Sequence, residues 1–172
     1  MTRTLIAAAA ALTLAACAST PEPMGPPTSE VRPPVGEASQ VSWDAGNAAY
    51  LAWNAGRPGW TTTDSGLQYR RISPARPEGR QPVATDTVRV HYRGTFIDGR
   101  EFDGSWARGE PSEFPLNRVI KGWTEGVALM RVGERFEFVI PGGLAYGERW
   151  AGGGKLPPNS TLLFTVELLE VK

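Results

Sequence analysis

From Gly66 to the end of the chain, apolar residues recur mainly at every second position. Leu67 and Tyr69 share a side in LQYRRI. In TVRVHYR, Val88, Val90 and Tyr92 fall on one face and Arg89, His91 and Arg93 on the other. Phe136, Phe138 and Ile140 repeat the pattern in ERFEFVI, and Leu162, Phe164, Val166 and Leu168 repeat it in TLLFTVELLEV. Side chains of a strand point alternately to opposite faces, so a period of two predicts strands with one buried face. TFIDGREF carries Asp98-Gly99 at its centre, a hairpin signal. One segment changes period. In VIKGWTEGVALM, residues 119–130, Trp123, Val127 and Met130 recur at i, i+4 and i+7, the spacing of a helix face. Gly122 and Gly126 flank the tryptophan, so the largest side chain sits on a turn of helix that can approach its neighbours closely. The pattern predicts an α+β fold in which one short helix faces an antiparallel sheet.

Upstream the character differs. SQVSWDAGNAAYLAWNA, residues 39–55, is alanine-bearing and predicts a short helix stopped by Gly56 and Pro58. Trp43 and Tyr50 share a face of it, with Leu51 beside them. Two readings stand: a helix packed on the following domain, or a self-association face that makes a homodimer. Residues 18–36 are rich in Pro, Ser and Thr and too poor in apolar residues to build a core, which predicts an extended tether. Before them, Arg3 precedes the apolar run LIAAAAALTL. A span of the bilayer takes roughly 20 residues, so this run reads as a secretory signal. It ends in Leu14-Ala15-Ala16-Cys17, which resembles a bacterial lipobox. That resemblance implies cleavage before Cys17 and lipid attached to it. Multiple acyl chains hold a protein on a membrane far more firmly than one. Ala18 stands where an aspartate tends to retain a lipoprotein in the inner membrane, so the expected place is the cell envelope, at the periplasmic face of the outer membrane. The expected organisation is a signal peptide over 1–16, a lipidated tether over 17–38, a short helix over 39–58 and a folded domain over 59–172.

Composition mainly removes options. Lys+Arg and Asp+Glu are each 18 in 172 residues, so no net basic charge forecasts nucleic acid binding. A single histidine and a single cysteine are too few for a zinc cluster. His91 alternates with buried strand residues and reads as a surface or edge histidine rather than a general base. No nucleophile elbow accompanies it. AGGGK at 151–155 is followed by Leu156-Pro157-Pro158, not by the Ser/Thr and helix of a phosphate loop. The carboxylates lie singly. What remains is a set of aromatic residues, Tyr92, Phe102, Trp123, Tyr146 and Phe164, which belong either to the core or to one apolar surface.

The order of several segments then carries more weight than any one of them. VHYRGTFIDGREFDGS, RGEPSEFPL, VIKGWTEGVALMRVGERFEFVIP and LAYGERWAGGGKLPPNSTLLFTVELLEV together resemble the FKBP-type peptidyl-prolyl isomerases over about residues 66–172. SGLQY at 65–69 with a helix upstream resembles the secreted bacterial branch that includes macrophage infectivity potentiators, although their dimerising helix is longer. The resemblance implies a curved antiparallel half-barrel wrapped around a short helix, with a proline pocket between them. It implies Tyr92, Phe102, Asp103 and Tyr146 as catalytic residues. It implies Trp123 as the pocket floor, with Val119, Ile120, Leu156 and Phe164 binding substrate. The implied partners are proline-containing polypeptides and macrolide inhibitors, with no cofactor and no metal. Where the family often has an aromatic residue after the proline of RGEP, this chain has Ser112, which predicts a missing wall and a larger loss for macrolides than for catalysis. Gly104 and Asn117 also depart from the pattern. Trp150 either packs over the rim or meets substrate. A binding module that uses the same pocket without turnover, and a structural envelope lipoprotein, are the competing readings.

Overall fold

The structure, a computed structural model, describes residues 40–172; the expected signal peptide, Cys17 and the tether lie outside the described residues. Helix α1 (Gln40–Ala55) leads into β1 (Thr61–Thr62), β2 (Gln68–Arg71), β3 (Thr87–Thr95), β4 (Glu101–Gly104), β5 (Ser112–Pro115), helix α2 (Lys121–Val127), β6 (Arg135–Ile140) and β7 (Leu162–Val171). The strands form one antiparallel seven-stranded sheet in the order β1-β2-β6-β7-β3-β4, with β5 sharing the outer edge of β3 with β4. The last strand therefore lies in the middle, between β6 and β3, and pairs with β3 over nearly its whole length and with β6 over residues 162–167.

The period of two puts its apolar residues where expected. Val88 and Val90 of β3, Phe138 and Ile140 of β6, and Leu162, Val166 and Leu168 of β7 are buried on the face that holds α2. Cross-strand pairs Tyr92–Val166, Val90–Leu168 and Phe138–Phe164 knit that face together. Helix α2 is shorter than the pattern of residues 119–130. Ile120 is extended, and beyond Val127 the chain continues in tighter i→i−3 turns, Leu129 N–H to Gly126 O and Met130 N–H to Val127 O. Those turns still bury Met130 completely. Two glycines set the distance between α2 and β6. A Cβ on Gly122 would lie 2.4 Å from Ile140 Cγ2, and one on Gly126 would lie 2.7 Å from Phe138 Cε1.

Helix α1 answers the choice left by the sequence. Its buried residues are Trp43, Asn47, Tyr50 and Asn54, one stripe at spacings of four and three, and the stripe is turned to the chain's own sheet. Tyr50 packs with Ile97 and Val139, while Trp43 meets Phe96. Polar pins add direction. Asn47 Oδ1 accepts the Thr161 N–H at 2.7 Å, Asn54 Nδ2 donates to Gln68 Oε1 at 2.8 Å, and Trp43 Nε1 donates to Ser160 Oγ at 3.1 Å. The helix thus packs on its own domain, the first of the two readings, and the face that the second offered for self-association is occupied within the molecule.

Candidate active site

A cavity of ≈ 530 Å³ opens between α2 and the concave face of the sheet. Each wall comes from a different element. Strand β3 contributes Tyr92, β4 contributes Phe102 and Asp103, β7 contributes Phe164, and the approach to α2 contributes Val119 and Ile120. Trp123, on the buried side of α2, makes edge contacts with Tyr92 at 5.3 Å, Phe164 at 5.3 Å and Phe114 at 5.5 Å between ring centroids. Rings at these separations and near-perpendicular angles form the favoured edge-to-face geometry, so each holds the next in place. Gly94 makes the arrangement fit. A Cβ there would lie 2.6 Å from Phe102 Cζ and 2.8 Å from Phe164 Cε1.

Asp103 sits at the mouth in a network. The Tyr92 hydroxyl donates to Asp103 Oδ2, Arg108 Nη1 donates to Oδ1 at 2.7 Å, and the Gly104 N–H donates to Oδ1 at 2.9 Å. Arg108 Nη2 also donates to the Tyr92 hydroxyl and to Ser112 Oγ, both at 3.1 Å. Partial burial pushes the Asp103 carboxyl up, but the bonds from Tyr92, Arg108 and Gly104 outweigh it and hold the group below the usual aspartate range. Burial, reinforced by the bond to Asp103, raises the Tyr92 phenol. Tyr146 is also raised, first by burial and then by the Asp103 charge, so its hydroxyl keeps its proton. Tyr146 lines the cavity while remaining 41% exposed, and its hydroxyl has no partner among the described residues. It is a free donor at the mouth.

Eight of the nine pocket residues expected from the sequence meet at this cavity: Tyr92, Phe102, Asp103, Val119, Ile120, Trp123, Tyr146 and Phe164. Leu156 does not. It pairs back to back with Ala151, each N–H donating to the other's carbonyl, and its side chain is buried in the core against the turn at Gly152. The expectation of a missing wall at Ser112 is corrected by Phe114. Residues 112 and 114 share a face of β5, and the Phe114 ring lines the cavity between Tyr92 and Trp123. The alternation of SEFP was the available signal. Arg108, which binds Tyr92 and Asp103 together, gave no signal because it lies in an irregular loop. His91 is on the opposite face, stacked on Trp106 with its Nδ1 3.0 Å from Ser105 Oγ. Trp150 is 63% exposed and does not line the cavity.

Residues 78–169 match the family model described as FKBP-type peptidyl-prolyl cis-trans isomerase. The chain belongs to the FKBP family. Among FKBP relatives, the FKBP-type 22 kDa peptidyl-prolyl cis-trans isomerase of Escherichia coli (strain K12) is 58% identical over 113 residues, covering 66% of this chain and 53% of that protein. The outer membrane protein MIP of Legionella longbeachae is 44% identical over 115 residues, 67% of this chain and 48% of that one. The crystal structure of a peptidyl-prolyl cis-trans isomerase from Pseudomonas syringae pv. tomato superposes with a TM-score of 0.71 at 31% identity, covering 79% of this chain and 98% of that one. The chain thus spans about half the length of the curated relatives it matches. The antiparallel sheet around α2 is the FKBP fold that the sequence implied.

Proposed function

We propose that the chain catalyses cis–trans isomerisation of Xaa-Pro bonds in polypeptides, assisting the folding of envelope or secreted proteins. The observation that supports this most directly is the aromatic cavity around Trp123 with the free Tyr146 hydroxyl at its mouth. Rotation about a peptide bond faces a barrier of ~18–20 kcal/mol, and prolyl isomerisation takes roughly tens to hundreds of seconds unaided. No covalent bond is made or broken, so neither a nucleophile nor a general base is needed.

In the twisted amide, resonance is lost and the carbonyl is less polar. An apolar cavity favours that form over the solvated planar isomers, and catalysis is this difference in binding. A millionfold acceleration requires about 8 kcal/mol of preference. In this reading the proline ring rests on Trp123 between Tyr92, Phe102, Phe114 and Phe164. Val119 and Ile120 close the wall, and Tyr146 donates to a substrate carbonyl. Asp103, ionised and held by Arg108 and Tyr92, fixes the Tyr92 ring and places negative charge beside the rotating carbonyl carbon.

The anchoring follows from sequence: a lipid on Cys17 would hold the domain at the envelope. The motif at Leu14–Cys17 supports it, as does the name of the Legionella outer membrane protein. Loss of membrane association and of fatty-acid labelling in Cys17→Ser is the expected result.

The deciding experiment is cis–trans exchange on a short Xaa-Pro peptide, measured by exchange NMR with protein beginning at residue 18. Acceleration that falls in a folded Tyr146→Phe, Asp103→Asn double variant supports the assignment. A folded protein that binds the peptide without accelerating exchange would move the reading to a peptide-binding module.

A further inference from the structure

The rim of the cavity carries a charge pattern that its floor does not. Arg118, Lys121 and Arg149 line the mouth and are exposed. None of the three has an ion-pair or hydrogen-bond partner among the described residues. Arg118 and Lys121 bracket Val119 and Ile120 along the chain, and Arg149 follows Tyr146 by three residues. The one carboxylate that lines the cavity, Asp103, is already ion-paired with Arg108. The mouth therefore holds three uncompensated positive charges above an apolar floor. The contrast with the second cleft of the molecule is informative. That cleft, ≈ 360 Å³ beside the end of α1, has Arg70 paired with Glu137 and Arg93 paired with Glu101. Two of its three arginines are spent on internal ion pairs and the third, Arg57, donates to Asn54 and lies over Trp53, whereas the cations of the cavity rim have no such partners among the described residues.

We infer that Arg118, Lys121 and Arg149 are specificity-determining residues that make the cavity favour a carboxylate over a cation next to the proline. The inference rests on the prolyl-isomerase reading of the same cavity. The proline seats on Trp123, and its neighbouring side chains must pass the rim, where an Asp or Glu is attracted and a Lys or Arg meets repulsion. Exposed charge pairs are individually weak, so the expected preference is about three- to tenfold in kcat/KM for Glu over Lys before proline. It depends on ionic strength, since exposed charges are screened beyond about 8–10 Å at physiological salt.

The test uses the full chain in neutral detergent and three peptides that differ only in the residue before proline: Glu, Gln or Lys. Exchange NMR at low salt should rank them Glu, Gln, Lys, with the Glu:Lys ratio shrinking toward one in high salt. The ratio should also collapse in Arg118→Ala, Lys121→Ala, Arg149→Ala, and reverse in Arg118→Glu, Arg149→Glu. These side chains are exposed, so thermal unfolding close to that of the parent checks that the variants are folded. Equal rates for the Glu and Lys peptides at low salt, or a ratio untouched by the triple substitution, would overturn the inference while leaving the isomerase intact. If no peptide is turned over, the isomerase reading fails separately. Peptide titrations read by amide shifts at Ile120 and Tyr146 then decide the rim: the same order of affinities supports it, and equal affinities overturn it.

Discussion

Gly122→Ala tests the idea that backbone proximity between α2 and β6 sets the cavity floor. Replacing a helical glycine by alanine normally stabilises a helix by up to about 1 kcal/mol, and Gly122 lies in the first turn of α2. Here the added methyl would lie 2.4 Å from Ile140 Cγ2, 3.0 Å from Cδ1 and 3.1 Å from Cγ1. Carbon atoms pack best at about 3.5–4.0 Å, so the closest approach is more than an ångström too short. Ile140 cannot yield easily. It is β-branched and therefore stiff at χ1, fully buried, and paired to Leu162 on a central strand. Overpacking of this kind costs typically about 1–3 kcal/mol, which exceeds the propensity gain. The expected net loss is up to about 2 kcal/mol, read as a lower urea midpoint at unchanged slope. Because relief requires α2 to move outward with Trp123, KM for a proline peptide should also rise. In an Ile140→Ala background the obstructing atoms are gone, and Gly122→Ala should become neutral or stabilising by up to about 1 kcal/mol, a coupling that a double-mutant cycle isolates. A Gly122→Ala protein more stable than the parent would refute the argument, because it would mean that helix propensity alone decides the site.

Three other outcomes follow from the same structure. Asn47→Ala strips the buried Thr161 N–H of its acceptor and should cost about 1–3 kcal/mol in urea unfolding. Burial pushes the Tyr50 phenol up to about 12, so the folded state keeps its proton longer than the unfolded chain does. That contribution is complete below pH 10 and is lost as pH rises toward 12, on the order of 2–3 kcal/mol, and Tyr50→Phe should remove the steep alkaline slope of the thermal midpoint. Asp103 is shifted the other way. Its stabilising charge is present above the ordinary aspartate range and fades only as pH falls through its depressed value, so peptide affinity should stay level through mild acid, whereas Asp103→Asn should lower it already at neutral pH.

The strands and the α2 face were legible in the chain because burial on one face leaves a period, and a period survives without coordinates; the pocket residues were named only through the resemblance of several ordered segments to the FKBP family, and eight of those nine line the cavity. The glycine pair around Trp123 was also visible, although only the structure shows that Ile140 and Phe138 are what the missing methyl groups make room for. Phe114 was overlooked for a local reason. Its strand is four residues long, so the alternation of SEFP is a brief signal, and its wall position is fixed by pairing with β3, where it lies opposite Val88. Arg108 is a sharper case. Its link to Tyr92 and Asp103 joins a loop to two strands, and no spacing along the chain encodes a contact made by a loop turning back. Leu156, which the resemblance implied as a rim residue, is held by the bridge to Ala151 with its side chain in the core. For α1, the sequence determined an amphipathic helix and left its partner open. The tertiary structure chose the chain's own sheet, because Asn47, Asn54 and Trp43 find hydrogen-bond partners there that a purely apolar face does not specify. Periodicity thus determines which residues are buried, while the identity of their neighbours is decided only when distant segments meet and their polar groups must be satisfied.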